Sequence, residues 1–459
     1  MREKRTPLKL SFLGATGTVT GSKYLLTCGS KRLLIDCGLF QGYKQLRLRN
    51  RAKLPVDPRS IDAVILTHAH IDHSGYLPLL IKNGFSGPVY STQATRDLCA
   101  IMLPDSGHLQ EEEARFANRH GFSRHSPAQP LYTEKDAKFA LRAFKTFAYD
   151  REIPLGENLS LRFLQAGHIL GSAFVQIRQG PRSILFSGDL GRPEDLIMPA
   201  PAVVSETDYL VVESTYGDRL HEHTDPLDII APIIKRTAKR KGVLIIPAFA
   251  VGRAQSLLYY VHLLKQEGRI PDIPVYLNSP MATSVTRVYS KHMKQHRLTA
   301  AQTDAMCNSA QIVSSAEDSI QLNARKGPMI IISASGMATG GRVVHHLKQF
   351  APDPRNTILF AGFQAGGTRG ATIVGGAETV KIHGQYVPIR AEVASLDNLS
   401  AHADCSEIMQ WLSNFKKAPR HTYITHGEPA ASDALRHKIE EIKGWPCTVP
   451  EYRQTVVLS

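Results

Sequence analysis

Ala63-Val64-Ile65-Leu66-Thr67-His68-Ala69-His70-Ile71-Asp72-His73-Ser74-Gly75 is a short apolar run that opens onto four metal-ligating side chains within six residues. A branched, apolar stretch of this length reads as a buried strand. At its extended tip, residues two apart point to the same side, so His68 and His70 can hold one ion together. The chain past Ser74-Gly75 turns helical, and that turn redirects Asp72 and His73 toward a second ion. A lone histidine at a strand end is usually an ordinary core or surface residue. Four ligand types this close together have no packing explanation, so the stretch predicts a metal centre at a strand tip.

So short a segment cannot enclose two ions, and the remaining ligands must come from other strand ends. Gln165-Ala166-Gly167-His168, Phe186-Ser187-Gly188-Asp189 and Ile424-Thr425-His426-Gly427 each place a His or Asp beside glycine, where backbone can crowd an ion. Singly, these are also common turns. Together they assign one ion to His68, His70, His168 and Asp189, and the other to Asp72, His73 and His426, with Asp189 bridging. Nitrogen and carboxylate ligands without thiolates suit catalytic zinc, with manganese as the alternative, so two zinc ions per chain are expected. Two dications about 3.5–4 Å apart repel by roughly 18 kcal/mol at an effective dielectric near 20, so an anion must bridge them. Water held there loses its proton near pH ~7, which supplies hydroxide as nucleophile toward a phosphate. Asp36, ending Leu33-Leu34-Ile35, is a candidate acceptor for a metal-bound imidazole. A plain turn aspartate is the competing reading.

Cleavage of a phosphodiester expels an alkoxide that needs a proton. His402, in Leu399-Ser400-Ala401-His402-Ala403-Asp404, is the candidate acid, with Glu213 at the end of Tyr209-Leu210-Val211-Val212 as the carboxylate that keeps it charged and oriented. The alternative makes His402 a helix N-terminal residue with no chemical part.

Around these motifs the chain changes rhythm. Short branched runs at Lys9–Leu13, Tyr24–Thr27, Arg32–Ile35, Leu161–Gln165, Phe174–Arg178 and Ser183–Ser187 give the first two hundred residues many strands and few helices, which predicts sheets packed together. From Tyr209 strands and helices alternate: Tyr209–Glu213, a helix over Pro226–Lys241, Val243–Ile246, a helix from Val251, Val275–Leu277, a further helix, Met329–Ile332, a helical start at Gly341 and Thr357–Phe360. Such alternation predicts a parallel sheet flanked by helices. Past Leu396 come a helix at Asp404–Phe415, a strand at Tyr423–Thr425 and a helix over Ala430–Lys443.

The 459 residues exceed one ordinary core, which implies two domains or one domain with a large insertion. Lys and Arg number 55 against 41 Asp and Glu, a formal charge of +14 that favours polyanionic partners, nucleic acid above all. The basic runs Arg47–Lys53 and Lys235–Lys241 also suit solvated helix faces. Six scattered cysteines without a Cys-x-x-Cys pair argue against a disulfide framework and against a thiolate zinc site. With no signal-peptide or membrane-spanning pattern, a soluble cytoplasmic protein with no membrane partner is expected.

His-Ala-His-Ile-Asp-His, with the later Gly-His, Gly-Asp and His-Gly, resembles the metallo-β-lactamase superfamily. Glu213-Ser214-Thr215-Tyr216-Gly217, Ser400-Ala401-His402-Ala403-Asp404 and Thr425-His426-Gly427-Glu428 are similar to motifs A, B and C of its β-CASP branch of RNA-processing nucleases. The likeness runs in order along essentially the whole chain. It implies an α/β fold: an αββα metallo-β-lactamase sandwich built from residues 1–208 and 396–459, with a β-CASP domain over 209–395 that holds the parallel sheet. It also implies that Asp72 and Asp189 take part in catalysis, that His402 and Glu213 act as a pair, and, through His426, that the substrate is RNA.

The same resemblance makes Ser279, Ser335, Gly336, Arg342 and Arg253 candidate RNA contacts, since small residues at strand-to-helix junctions expose amides that suit phosphates. Tight turns of a parallel sheet explain them equally well. Gly367-Thr368-Arg369-Gly370-Ala371-Thr372 departs from the paired arginines of many relatives. The end of the chain soon after its last helix favours an endonuclease over a processive 5′-exonuclease, and a homodimer is compatible with the family. Competing readings are a single-stranded DNA nuclease of the same branch, a thioester or lactam hydrolase on the same metal core, and a non-enzymatic RNA binder. The last would be expected to have lost ligands, and every position is filled. Gly14 to Gly21 has the wrong spacing for a dinucleotide fingerprint.

Overall fold

The computed structural model describes residues 8–121, 126–156, 158–396 and 398–459. They form two compact units: one contains the chain up to Leu220 together with His402–Ser459, the other is His221–Ala401.

The first unit is a sandwich of two seven-stranded sheets. One sheet runs, edge to edge, Thr455–Leu458, Leu8–Phe12, Tyr24–Cys28, Lys31–Ile35, Ala63–Ile65, Val89–Thr92 and Phe144–Phe147. The other runs Cys447–Thr448, His421–Thr425, Tyr209–Glu213, Arg182–Phe186, Ala173–Gln179, Leu159–Gln165 and Ile153–Gly156. Alternation sets the inner faces: Leu8, Leu10 and Phe12 are buried while Lys9 is exposed. Phe12 meets Tyr423 at 5.2 Å and Tyr24 meets Phe186 at 5.7 Å between ring centres, joining the sheets through one core. Outside the second sheet, Ile408, Trp411, Leu412, Leu435 and Ile439 of helices Cys405–Leu412 and Pro429–Lys443 bury against Leu185, Leu210, Val212 and Ile424. Outside the first sheet lie helices Leu77–Lys82 and Gln93–His120.

Parallel pairing at the centre of each sheet brings the ligand-bearing tips together. Lys31–Ile35 pairs parallel with Ala63–Ile65, and Tyr209–Glu213 pairs parallel with both Arg182–Phe186 and His421–Thr425. Asp36 and His68 therefore leave one sheet at the same end, and Asp189, Glu213 and His426 do so from the other. Tyr209–Glu213, which opens the alternating rhythm in sequence, is thus a strand of the sandwich.

The second unit carries a six-stranded parallel sheet in the order Gln311–Ile312, Val275–Leu277, Met329–Ser333, Val243–Pro247, Thr357–Ala361, Glu392–Leu396. Val243–Pro247, Met329–Ser333 and Thr357–Ala361 are buried along their whole length, as a sheet covered by helices on both faces requires. The strands named in the sequence reading lie within one or two residues of the observed ones, while others, such as Val89–Thr92, Phe144–Phe147 and Glu392–Leu396, are not named in it. The expectation of few helices in the first two hundred residues needs correction, because Gln93–His120 is a helix of 28 residues. Its buried positions, Ala94 to Gly107, occupy only the first half, and Pro104 interrupts the pattern, so no sustained apolar period shows. Among the described residues no disulfide forms, and no helix is long and apolar enough to cross a membrane.

Candidate metal centre

His68, His70, Asp72, His73, His168, Asp189 and His426 converge in the first unit in two overlapping groups. In the first group, His68 Nε2 lies 3.1 Å from His70 Nδ1, which lies 3.2 Å from His168 Nε2. Asp189 Oδ2 completes the set at 3.3 Å from both His68 Nε2 and His168 Nε2. Lone-pair atoms spaced this way are edges of a tetrahedron whose centre is about 2.0 Å from each corner, the length of a zinc–nitrogen bond. In the second group, His73 Nε2 and His426 Nε2 are 3.1 Å apart and Asp72 Oδ2 lies 3.5 Å from His426 Nε2. Asp189 turns its other oxygen to this group: Oδ1 is 3.1 Å from His73 Nε2 and 3.6 Å from His426 Nε2. Asp189 Oδ1 is buried, and the atoms that face it, the Nε2 atoms of His73 and His426, are themselves metal-ligating atoms, so the oxygen and both rings can turn to one cation.

Burial, reinforced by neighbouring imidazoles, holds His68 and His168 below the usual histidine range and His70 down to about 3. Three neutral rings and a carboxylate are the donor set that zinc accepts. For the acids the balance reverses. Burial opposes ionisation, but His426 and His73 outweigh it and hold Asp72 and Asp189 well below the carboxylate range. His73 differs from the first three histidines, because Asp189 and Asp36 overcome its burial and raise it well above 6.5.

Three imidazoles are fixed from behind. Asp36 is fully buried and accepts from His73 Nδ1 at 2.7 Å, from Thr67 N at 2.8 Å, from Thr67 Oγ1 at 3.0 Å and from Ser22 Oγ at 3.2 Å. Thr67 Oγ1 in turn accepts from His68 Nδ1 at 3.1 Å, and Thr215 Oγ1 accepts from His426 Nδ1 at 3.1 Å while donating to the His426 carbonyl. Each bond places the ring proton on Nδ1 and leaves Nε2 free for a metal. Thr67, Thr215 and Ser22 are absent from the sequence-based site. Thr67 directly precedes His68 and Thr215 lies in the Glu213 motif, so position gave a signal for both. Nothing local marks Ser22.

Backbone packing sets the second group. A Cβ on Gly38 would fall 1.5 Å from the Asp72 carbonyl oxygen, so only glycine allows this approach. Asp72 O also accepts from Ser22 N at 2.8 Å, and His73 O from Cys37 N at 2.7 Å.

His402 and Glu213 meet. Both Glu213 oxygens lie 3.0 Å from His402 Nδ1, which leaves Nε2 facing the centre, 3.9 Å from Asp189 Oδ2. The His402 ring lies 4.5 Å from that of His168. Glu213 is itself anchored by Leu190 N at 2.6 Å. Burial disfavours a charged His402, but Glu213 and Asp189 prevail and hold it at about 9.

The candidate RNA contacts lie in the second unit. Ser279 Oγ caps helix Pro280–Lys291 by accepting from Ala282 N. Arg342 donates to Asn278 Oδ1 at 2.7 Å and to the carbonyls of Val313 and Ser314. Ser335 Oγ accepts from Thr339 N, Gly336 is packed against the Phe249 ring, and Arg253 begins helix Arg253–Gln266 beside Gly362. Arg369 of the departing segment donates to the carbonyls of Lys381, Ala338 and Thr339.

Residues 17–98 match the metallo-beta-lactamase superfamily, residues 254–373 the Beta-Casp domain, and residues 386–450 the Zn-dependent metallo-hydrolase RNA specificity domain. The chain is similar to ribonuclease TTHA0252 of Thermus thermophilus, 38% identical over 96% of this chain and 98% of that one. It is 30% identical to an RNase J-like protein of Methanocaldococcus jannaschii, over 91% of this chain and 92% of the relative. Transcription termination factor FttA of the same organism is also 30% identical, over 92% of this chain and 67% of the factor. A crystal structure of a protein of unknown function from Enterococcus faecalis shares the fold, with TM-score 0.54 at 14% identity, covering 98% of this chain and all of that one.

Proposed function

The chain belongs to the β-CASP family of the metallo-β-lactamase superfamily, and from that premise we propose that it is a zinc-dependent ribonuclease that hydrolyses RNA phosphodiester bonds internally. The observation that carries this reading is Asp189, whose two oxygens face two separate ligand sets, as a carboxylate shared by two ions does. His68, His70, His168 and Asp189 would hold one zinc, and Asp72, His73, His426 and Asp189 the other, with manganese as a substitute. When bound, the ions supply Lewis acidity and an activated water as nucleophile.

The chain's own residues do the rest. Asp36, Thr67 and Thr215 fix the tautomers of His73, His68 and His426. His402 offers its Nε2 proton to the departing oxygen while Glu213, bonded to Nδ1, stabilises the charged ring. Cations held by the neighbouring ligand atoms would draw His402 down from about 9 toward neutral pH, where an acid works best. In the second unit Arg253, Ser335 and Gly336 are the proposed phosphate contacts, whereas Arg342 and Ser279 hold their own loops. Six free cysteines support a reducing, cytoplasmic setting.

Asp189→Ala is the test, with zinc content and cleavage of matched end-labelled RNA and DNA as readouts. The reading requires both metals and activity to be lost, and wild-type protein to prefer RNA. Full activity in the variant ends the bridging role, and equal cleavage of single-stranded DNA moves the substrate class.

A further inference from the structure

The two basic runs of the sequence have different fates. In Lys235–Lys241 two of the five basic side chains are tied down internally, since Arg236 and Arg240 share Glu392 at 2.5 and 2.6 Å. In Arg47–Lys53 no carboxylate of the described residues lies within ion-pair distance of Arg47, Arg49, Arg51 or Lys53. The same holds for Lys44. The helix that carries the run, Lys44–Arg49, buries none of its residues, so core packing does not explain it.

The loop is nonetheless built. Asn50 is 6% exposed and closes Phe40–Asn50 on itself, accepting from Phe40 N at 2.9 Å and donating to Phe40 O at 2.8 Å. A compact loop with joined ends presents its surface at little entropic cost on binding. The Arg49 guanidinium lies over the Tyr452 ring at 4.2 Å and over Phe40 at 5.4 Å, and Arg453 covers Tyr452 at 5.2 Å. Tyr43 stands 52% exposed at the start of the loop. Glu451, next to Tyr452 in the chain, is exposed. Phe40 itself is buried and serves as packing, but the exposed Tyr43 ring and the guanidinium planes of Arg49 and Arg453 beside Tyr452 suit stacked bases and their phosphates together.

Position ties the surface to the metal centre. Gly38, packed on the Asp72 carbonyl, is five residues before Tyr43, a span of at most about 18 Å even fully extended. We propose that the closed loop Phe40–Asn50, with Tyr452 and Arg453, is a second contact surface for single-stranded RNA, holding the substrate strand after it leaves the metal centre. This rests on the ribonuclease reading and adds a place where length of substrate is sensed.

The test compares an RNA of about 20 nucleotides with one of about 4, which fills a single binding site at most, in wild type and in Arg47→Glu combined with Lys44→Glu. Neither residue belongs to the catalytic machinery. On the long RNA the variant raises KM roughly tenfold, with kcat unchanged and a salt slope of log kcat/KM smaller by about 1.4, at ~0.7 for each phosphate no longer neutralised. Kinetics on the short RNA stay as in wild type. Equal changes on both lengths, or none on either, overturn the proposal. If wild type cleaves neither RNA, the ribonuclease reading fails, and fluorescence anisotropy on the long RNA still decides the surface: equal affinity of variant and wild type rejects it.

Discussion

Asp36→Asn removes one charge and one acceptor from a buried position that makes no direct contact with a metal. Four donors converge on the two carboxylate oxygens: His73 Nδ1, Thr67 N, Thr67 Oγ1 and Ser22 Oγ. An asparagine offers one oxygen and turns an NH₂ toward the remaining donors, so at least one donor-to-donor contact forms in a fully buried site. The bond at stake, His73 Nδ1 to a carboxylate at 2.7 Å, is charge-assisted, and such bonds contribute about 1.5–3 kcal/mol. At ~1.4 kcal/mol per tenfold, that predicts a loss of roughly 10–100-fold in affinity for the ion held by Asp72, His73 and His426. The ion on His68, His70 and His168 is retained, because its anchoring runs through Thr67 Oγ1, which keeps its own proton to donate. Chelator competition followed by metal analysis separates the two ions: the variant releases one zinc at lower chelator concentration and the second with wild type. Loss of both ions in parallel, or of neither, would refute the assignment of Asp36 to His73.

His402→Ala lowers kcat by roughly 10²–10⁴-fold with zinc content intact; a fall in zinc would instead make His402 a ligand. Its raised value, about 9, means that the acid form persists at neutral pH and is lost as pH rises through that value, shifted downward by bound cations. A pH profile of kcat/KM therefore has an alkaline limb that His402→Ala lacks. Gly38→Ala forces a Cβ to within 1.5 Å of the Asp72 carbonyl, so the loop or helix Ile71–Ser74 moves. Thermal unfolding should show a loss of about 1–3 kcal/mol, accompanied by weaker retention of the second zinc; unchanged stability and metal content would show that the backbones are not pressed together. Metal removal is also pH-dependent. His73 is protonated in the metal-free protein, so zinc binding there expels a proton and its affinity rises with pH, which titration calorimetry in buffers of different ionisation enthalpy reads directly.

The candidate ligands that converge in the fold were legible without structure because metal chemistry restricts residue types, and because strand tips flanked by glycine are local features. His68, His70, Asp72 and His73 announce themselves by spacing, and His168, Asp189 and His426 by their place after apolar runs. The four central strands of the second unit's sheet were legible for a similar reason, since strands buried on both faces read as unbroken apolar runs, whereas its edge strands Gln311–Ile312 and Glu392–Leu396, partly exposed, were not. The need for a leaving-group proton suggested the pairing of His402 with Glu213, and family likeness supported what spacing alone left open. The helix Gln93–His120 was not legible, because only its first half is buried and Pro104 breaks the period.

Tertiary structure decided what depends on residues far apart in the chain. Asp189 divides its oxygens between two ligand groups because the parallel strands before Asp189 and His426 flank Tyr209–Glu213 and end at the same end of their sheet, with the tip of Ala63–Ile65 opposite them. Asp36 is an anchor of His73 and not a plain turn residue, since Thr67 and Ser22 close around it. Tyr209–Glu213 belongs to the sandwich, a choice set by its neighbours Arg182–Phe186 and His421–Thr425 and by nothing in its own composition. The two basic runs look alike as sequence, yet Glu392 pairs with two arginines of one, and no carboxylate of the described residues lies within ion-pair distance of the other. In each case the deciding partner is brought near by the fold, and a local pattern carries no information about groups that only folding makes adjacent.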